Sequence, residues 1–319
     1  MVSSFYETHH YVTYVDWQAV HHLALVAISL SLVGSLYIII STLLRWRRGG
    51  YQPLSTTQLF PMWISCCDLL YGLFHGSDHI INLVTEREAP KDACVALGAL
   101  TVFAMALPAV WVAACAFNVW ASVVWGKTIS YGRYDWKLHV IGWGFPAIWA
   151  IIPLIKGQYG AETFWCGLPD PLYLFIFNGI PVSIAIAADS ILYGHVVFTL
   201  LRYRNVIETQ SIRSPLPSDT VGKARALKLE SRARSLPTFV MIYMIQWAPY
   251  LGYQWCMILS VQPVFSYALV VVVLANLGGL MNAIAYRRLL NIETHSEGKM
   301  SNDVEAMPKF KMSYPETSV

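Results

Sequence analysis

Seven apolar stretches, each about long enough to cross a ~30 Å hydrocarbon core, alternate along the chain with short polar connectors. They cover residues 21–44, 57–85, 93–125, 137–155, 171–201, 235–260 and 264–286. The pattern predicts an all-α membrane protein, a bundle of seven transmembrane helices. It divides the chain into a leading segment, 1–20, a membrane domain, 21–288, and a polar tail, 289–319, with a long connector at about 202–234. From His295 onward the tail has the composition of disorder.

Composition adds to this picture. With 56% hydrophobic residues, 13% charged residues and a mean hydropathy of +0.47, the chain is too apolar for a soluble core of this size. Residues 1–18 lack a basic start and a small-residue cleavage site, so no removable signal peptide is expected. No sequence-level feature calls for a nucleic-acid partner. The partner of the apolar faces is the lipid bilayer.

Charge sets the expected orientation, because Lys and Arg in short loops stay cytoplasmic. Arg45, Arg47 and Arg48 follow the first span, and Lys127, Arg133 and Lys137 follow the third. Arg202, Arg204, Arg213, Lys223, Arg225, Lys228, Arg232 and Arg234 lie between the fifth and sixth, and Arg287 and Arg288 close the seventh. The loop after the second span, with Glu86, Glu88 and Asp92 against Arg87 and Lys91, is acidic on balance. The expectation is a multi-pass membrane protein with its N-terminus outside and its C-terminus inside.

That topology separates the six cysteines by depth. Cys66, Cys67, Cys115 and Cys256 fall inside spans, whereas Cys94 and Cys166 fall at the outer face, where disulfides persist. A Cys94–Cys166 bridge is expected, which would pin the second outer loop across the mouth of the bundle. The alternative is a pair of reduced thiols.

Four features together resemble the G-protein-coupled receptors, and within them the slime-mould cyclic AMP receptor-like group, also found in fungi and lying near the secretin-like class. They are the seven spans with an outside N-terminus, Cys94 with Trp165-Cys166-Gly167, Ile64-Ser65-Cys66-Cys67-Asp68-Leu69-Leu70, and Gly279-Leu280-Met281-Asn282-Ala283-Ile284-Ala285-Tyr286. The resemblance covers about residues 20–290. It implies a cell-surface receptor that senses an extracellular small molecule, a nutrient or a cyclic AMP-like signal, and activates a heterotrimeric G protein, with no covalent chemistry and no cofactor of its own. The chain departs from rhodopsin-like receptors. Phe117-Asn118-Val119-Trp120 stands where they carry an acidic-Arg-aromatic triplet, and Asn282 and Tyr286 lack the intervening proline of Asn-Pro-x-x-Tyr. The seventh span has no lysine, which excludes a retinal Schiff base.

Polar residues within spans must face the bundle interior, since each costs about 2.5–3.5 kcal/mol at mid-bilayer on insertion scales. Asp68 is the clearest, with Asn118, Asn276, Asn282 and Tyr286 as candidate partners. With Trp247 and Pro249 these would form a switch network; equally, they would be hydrogen bonds that hold the helices together. Gln246-Trp247-Ala248-Pro249-Tyr250 resembles the proline hinge of the sixth helix in many receptors.

His75, Asp78 and His79 share one helical face by their i, i+3, i+4 spacing. Two imidazoles and a carboxylate suit zinc, but no fourth ligand is evident, and the expectation is a ligand pocket and no metal. Trp111, Trp165, Asn178, Gln254, Trp255 and Tyr267 are the further pocket candidates. Any of them could instead be interfacial or filling residues.

Residues 222–234 are good helix formers and should extend the sixth helix as a basic rod. Lys223, Arg225, Lys228, Arg232 and Arg234 are the expected G-protein contacts there, in a surface that would also meet anionic lipid. The chain ends Glu316-Thr317-Ser318-Val319, a form that PDZ grooves accept. Two other functions compete: an intramembrane zinc hydrolase of the progestin-and-adipoQ-receptor kind, which would need histidines in the last span, and a small transporter, which would show an internal repeat. Neither feature is present in the sequence.

Overall fold

The computed structural model describes residues 14–213 and 237–305 apart from 53, 128, 163 and 262, and only the backbone of 14–15, 203–213, 237 and 292–305. The basic positions Lys223, Arg225, Lys228, Arg232 and Arg234 and the terminal Thr317-Ser318-Val319 lie outside the described residues.

The described chain is a bundle of long helices. They are α1 (Tyr14–Arg48), α2 (Thr56–Thr85), α3 (Lys91–Val124), α4 (Trp136–Ile155), α5, α6 (Pro237–Ile258), α7 (Phe265–Asn276) and α8 (Gly278–Glu305). The fifth, α5, is compound: Pro171–Leu174, a π-helical turn Phe175–Gly179, then Ile180–Arg213. By length and apolarity α1, α3, α4 and α5 can each cross a membrane, as can α7 and α8 taken as one bent segment. The other two, α2 and α6, have 30 and 22 residues but fall short of that apolarity. Their polar side chains, among them Asp68, His75, Asp78, His79, Gln246 and Gln254, are buried inside the bundle.

Burial identifies the central helix. The most apolar stretch of α3 is 56% buried, against 28% to 39% for α1, α4 and α5. A helix that is apolar all round belongs in the middle, and α3 packs against α2, α4, α5 and α6. Outward faces are apolar too: Val26, Val33 and Ile40 on α1 and Ile184, Ile191 and Phe198 on α5 are exposed at heptad spacing. Such stripes have no place in water and fit lipid.

Local chemistry sets the helix ends. Gln58 accepts the Ser55 amide at the start of α2, and Glu86 in the left-handed region (φ 52°) ends it. Asp170 accepts the Leu172 and Tyr173 amides ahead of Pro171, which opens α5.

The last apolar stretch, expected as one helix, is broken. At Leu277 the chain leaves helical geometry, and α7 and α8 meet at 49°. Two glycines follow, Gly278 against side-chain ends and Gly279 against backbone. A Cβ on Gly278 would lie 2.6 Å from Gln246 Nε2 and 2.9 Å from Asp68 Oδ1. One on Gly279 would strike the Ser31 carbonyl and the Ser35 hydroxyl of α1. Past the break, α8 runs as helix through His295 to Glu305. A helix already nucleated in the bundle adds residues without a second nucleation cost.

Between α4 and α5 the chain forms a small hairpin, β1 (Gly160–Ala161) antiparallel to β2 (Cys166–Gly167), pairing Gly160 with Gly167 and Ala161 with Cys166. Cys166 is disulfide-bonded to Cys94 at the start of α3, with a Cα–Cα distance of 5.1 Å. The expected bridge is therefore present, and it holds the hairpin over one end of the bundle.

Candidate functional site

A small cavity of about 20 Å³ lies beneath the hairpin, room for about one water molecule. Tyr71 and His75 of α2, Thr101 and Met105 of α3, and Trp165 of the hairpin form one side. Tyr250 of α6 and Val271, Val272, Ala275 and Asn276 of α7 form the other. Aromatic rings make continuous walls: Tyr71 stacks on His75 at 5.2 Å, and His75 meets the edge of Trp165 at 5.7 Å. From Tyr71 the contact passes to Trp247 (5.7 Å) and from Trp247 to Tyr250 (5.8 Å).

His75 is one end of a chain of three imidazoles. His79 Nε2 lies 3.1 Å from His75 Nε2, and His79 Nδ1 lies 2.6 Å from His21 Nδ1 of α1. Each contact needs one protonated and one bare nitrogen, so the tautomer of one ring dictates the next. Because His79 uses both nitrogens on its neighbours, the three do not converge on a point. Among the described residues no group of three or more His, Cys, Asp or Glu side chains could hold a metal ion.

Asp78 does not join the histidines. Its Oδ2 accepts the Cys166 amide at 2.6 Å, and its Oδ1 accepts the Asn82 side-chain amide at 3.3 Å. It is a structural anchor for the hairpin. Glu162, in the same loop, braces it from within: Oε1 accepts the Leu168 amide (2.6 Å) and Oε2 the Trp165 indole (2.9 Å). Burial pushes the Glu162 carboxyl from 4.5 up to about 8, with Asp78 adding to the rise and the two N–H donors opposing it.

Of the nominated pocket residues, His75 and Trp165 line the cavity. Asn178 borders it through its amide, which reaches the Tyr250 hydroxyl at 3.5 Å; the π-helical turn of α5 presents it. Gln254 is buried against Gly179, and the Tyr267 hydroxyl donates to the Pro249 carbonyl at 2.6 Å. Trp111 sits elsewhere, in an aromatic cluster with Trp63, His139 and Trp143. Trp255 is half exposed against Phe175. Tyr71, Thr101, Met105, Tyr250, Val271 and Val272 were not singled out for this site by the sequence, since nothing in their spacing separates them from ordinary core.

The Asp68 network is narrower than the sequence suggested. Asn282 donates to Asp68 Oδ2 at 2.7 Å. The other nominees go elsewhere: Asn118 to the Thr57 hydroxyl, Asn276 to the Val272 carbonyl and Tyr286 to Thr42. Trp247 is fully buried beside the cavity, two residues before Pro249. A further carboxyl lies within the bundle. Asp189 of α5 is fully buried, and among the described residues neither of its oxygens has a hydrogen-bond partner. A carboxylate inside an otherwise apolar span was the available signal.

No family model matches the chain, and no curated protein does either. Among solved structures it is similar to squid rhodopsin, with a TM-score of 0.69 and 14% identity over 91% of this chain and 87% of that one. At that identity the likeness establishes the fold alone: the chain shares the helical-bundle fold of squid rhodopsin.

Proposed function

We propose that the protein is a seven-span receptor of the plasma membrane, N-terminus outside, which binds a small molecule beneath the β1–β2 hairpin and activates a heterotrimeric G protein. The observation that carries this reading is the disulfide-tethered hairpin that roofs one end of a bundle with the fold of rhodopsin. A disulfide belongs to an oxidising compartment, which agrees with the positive-inside orientation of Arg45, Arg47, Arg48, Arg287 and Arg288.

The motif departures at Phe117-Asn118-Val119-Trp120 and around Asn282 favour the cyclic AMP receptor-like group over the rhodopsin-like one. Ligand contact with Tyr71 and Tyr250 reaches Trp247 directly. Pro249, which lacks the amide that would bond one turn back, gives α6 a point about which its far half can swing. Asp68, Asn282 and Tyr286 carry the rearrangement through α2 and α8, and Lys223, Arg225, Lys228, Arg232 and Arg234 meet the G protein. The C-terminal Thr317-Ser318-Val319 offers a second contact, to a PDZ domain.

The test is GTP-analogue loading of a panel of heterotrimers on membranes containing the full chain or a variant lacking 222–234. The panel is screened with sugars, amino acids, nucleotides and peptides. Exchange that requires both a ligand and the loop supports the reading. No exchange with correctly inserted protein overturns it and favours transport or zinc chemistry, which substrate flux in proteoliposomes and metal analysis separate.

A further inference from the structure

We infer that the cavity beneath the hairpin is the seat of a single bound water, which joins α2, α3 and α7 and sets the direction of the histidine chain. The inference stands apart from the proposed receptor function, since it concerns only how three helices are tied together. A volume of about 20 Å³ holds one water molecule and nothing larger. Three polar groups of the lining residues are left over by the protein itself. His75 Nδ1 of α2, Thr101 Oγ1 of α3 and Asn276 Oδ1 of α7 are buried without a partner among the described residues, in side chains at most 4% exposed. An internal water typically makes about three hydrogen bonds to groups that are otherwise unsatisfied. Met105, Val271, Val272 and Ala275 line the rest of the space and offer a water nothing that competes.

Which way each bond runs follows from what each group can donate. The Asn276 side-chain nitrogen is committed to the Val272 carbonyl at 2.8 Å, so its free oxygen accepts. As neutral rings the three histidines admit two arrangements, because the His75–His79 contact (3.1 Å) and the His79–His21 contact (2.6 Å) each take one proton. In the first, His75 carries its proton on Nδ1. The water then accepts from His75 and donates to Asn276, one hydroxyl hydrogen (its own or that of Thr101) finds no acceptor, and the bare His21 Nε2 is unmatched as well. In the second, His75 and His21 are protonated on Nε2 and His79 on Nδ1. The water then donates to His75 Nδ1 and Asn276 Oδ1 and accepts from the Thr101 hydroxyl. All three groups are satisfied, and the His21 N–H, beside the Trp17 ring at 4.2 Å, is the one left over. Buried polar groups are paired wherever the structure allows it, which favours the second. Asn276 is the last residue of α7, so the water ties the histidine chain to the bend between α7 and α8.

The test uses the full chain in lipid nanodiscs, with water itself as the probe. X-ray irradiation splits a bound water into a hydroxyl radical that oxidises the side chains touching it, so buried residues beside a water are labelled and equally buried residues elsewhere are spared. Rates are divided by those of the free amino acids. Met105, Tyr71 and Tyr250, which line the cavity, should be oxidised at least about tenfold faster than Phe60 and Phe239, which are buried and do not line it. Thr101→Val keeps the shape of the side chain and removes its hydroxyl, and should bring the three rates down toward those of the phenylalanines. Lining residues oxidised no faster than Phe60 and Phe239, or rates unchanged in folded Thr101→Val, overturn the inference. A second readout needs no variant: histidine nitrogen chemical shifts, measured by magnetic resonance on the unsubstituted protein, should place the ring protons on Nε2 of His75 and His21 and on Nδ1 of His79. A proton on His75 Nδ1 would overturn the bonding assigned to the water.

Discussion

The backbone amide of Cys166 donates to Asp78 Oδ2 across 2.6 Å, so the hairpin that is covalently bound to α3 through Cys94 is also hydrogen-bonded to α2. The two ties fix where Trp165, the next residue back, stands against His75. The roof of the cavity is thus positioned by two helices at once.

Removing the second tie should loosen the roof. Asp78→Ala leaves the Cys166 amide buried without an acceptor, a loss of about 1–3 kcal/mol, while Asp78→Asn keeps a carbonyl oxygen at the same place. Thermal unfolding of the two variants in nanodiscs should show a clearly lower midpoint for alanine than for asparagine. Equal midpoints would mean that the disulfide alone holds the hairpin.

Glu162 makes stability depend on pH in a defined direction. Its carboxyl titrates at about 8 in the folded protein, against 4.5 for the ordinary group, so the folded state holds the proton more tightly. Its contribution is complete below about pH 4.5, declines as pH rises, and is lost above about 8. Unfolding midpoints followed from pH 5 to pH 9 should fall more steeply for the natural protein than for Glu162→Gln, which does not titrate. Parallel curves would assign the pH dependence to other groups.

At Gly34 the chain of α1 lies against the backbone of α8. A Cβ there would strike the Gly279 carbonyl and come within 2.8 Å of the Leu280 Cα. These are backbone atoms, which cannot step aside as a side-chain tip can. Gly34→Ala should cost about 1–3 kcal/mol and Gly34→Leu more, read as lower unfolding midpoints and lower yield of folded protein. A neutral Gly34→Ala would show that the two helices can slide apart.

Asp189 carries the opposite expectation. With both oxygens buried and without a partner among the described residues, replacing it by an apolar residue of modest size removes an unsatisfied polar group. Asp189→Val should raise the unfolding midpoint, by the equivalent of about 1–3 kcal/mol. If nucleotide exchange falls in the same variant, the carboxyl is retained for function at the expense of stability. A lower midpoint would mean that the group is satisfied in the folded protein.

The helices could be read from the chain because their cause is local. A run of apolar residues long enough for a bilayer satisfies its own backbone hydrogen bonds only as helix. Residues 57–85 accordingly differ from α2 (Thr56–Thr85) by one position, and 137–155 from α4 (Trp136–Ile155) likewise. The Cys94–Cys166 pairing was accessible for a similar reason, since two cysteines at one face have few alternatives. The tertiary structure alone decided which polar groups meet. Asp68 had four nominated partners and took Asn282; His79 was grouped with Asp78 by helical spacing but turned to His21, from a helix 58 residues away. The break at Leu277 sets Gly278 against Asp68 and Gln246 and Gly279 against Ser31, contacts between distant helices. Helical periodicity determines which face a side chain occupies, but its partner depends on the rotation and depth of the neighbouring helix, which are set by packing across the whole bundle.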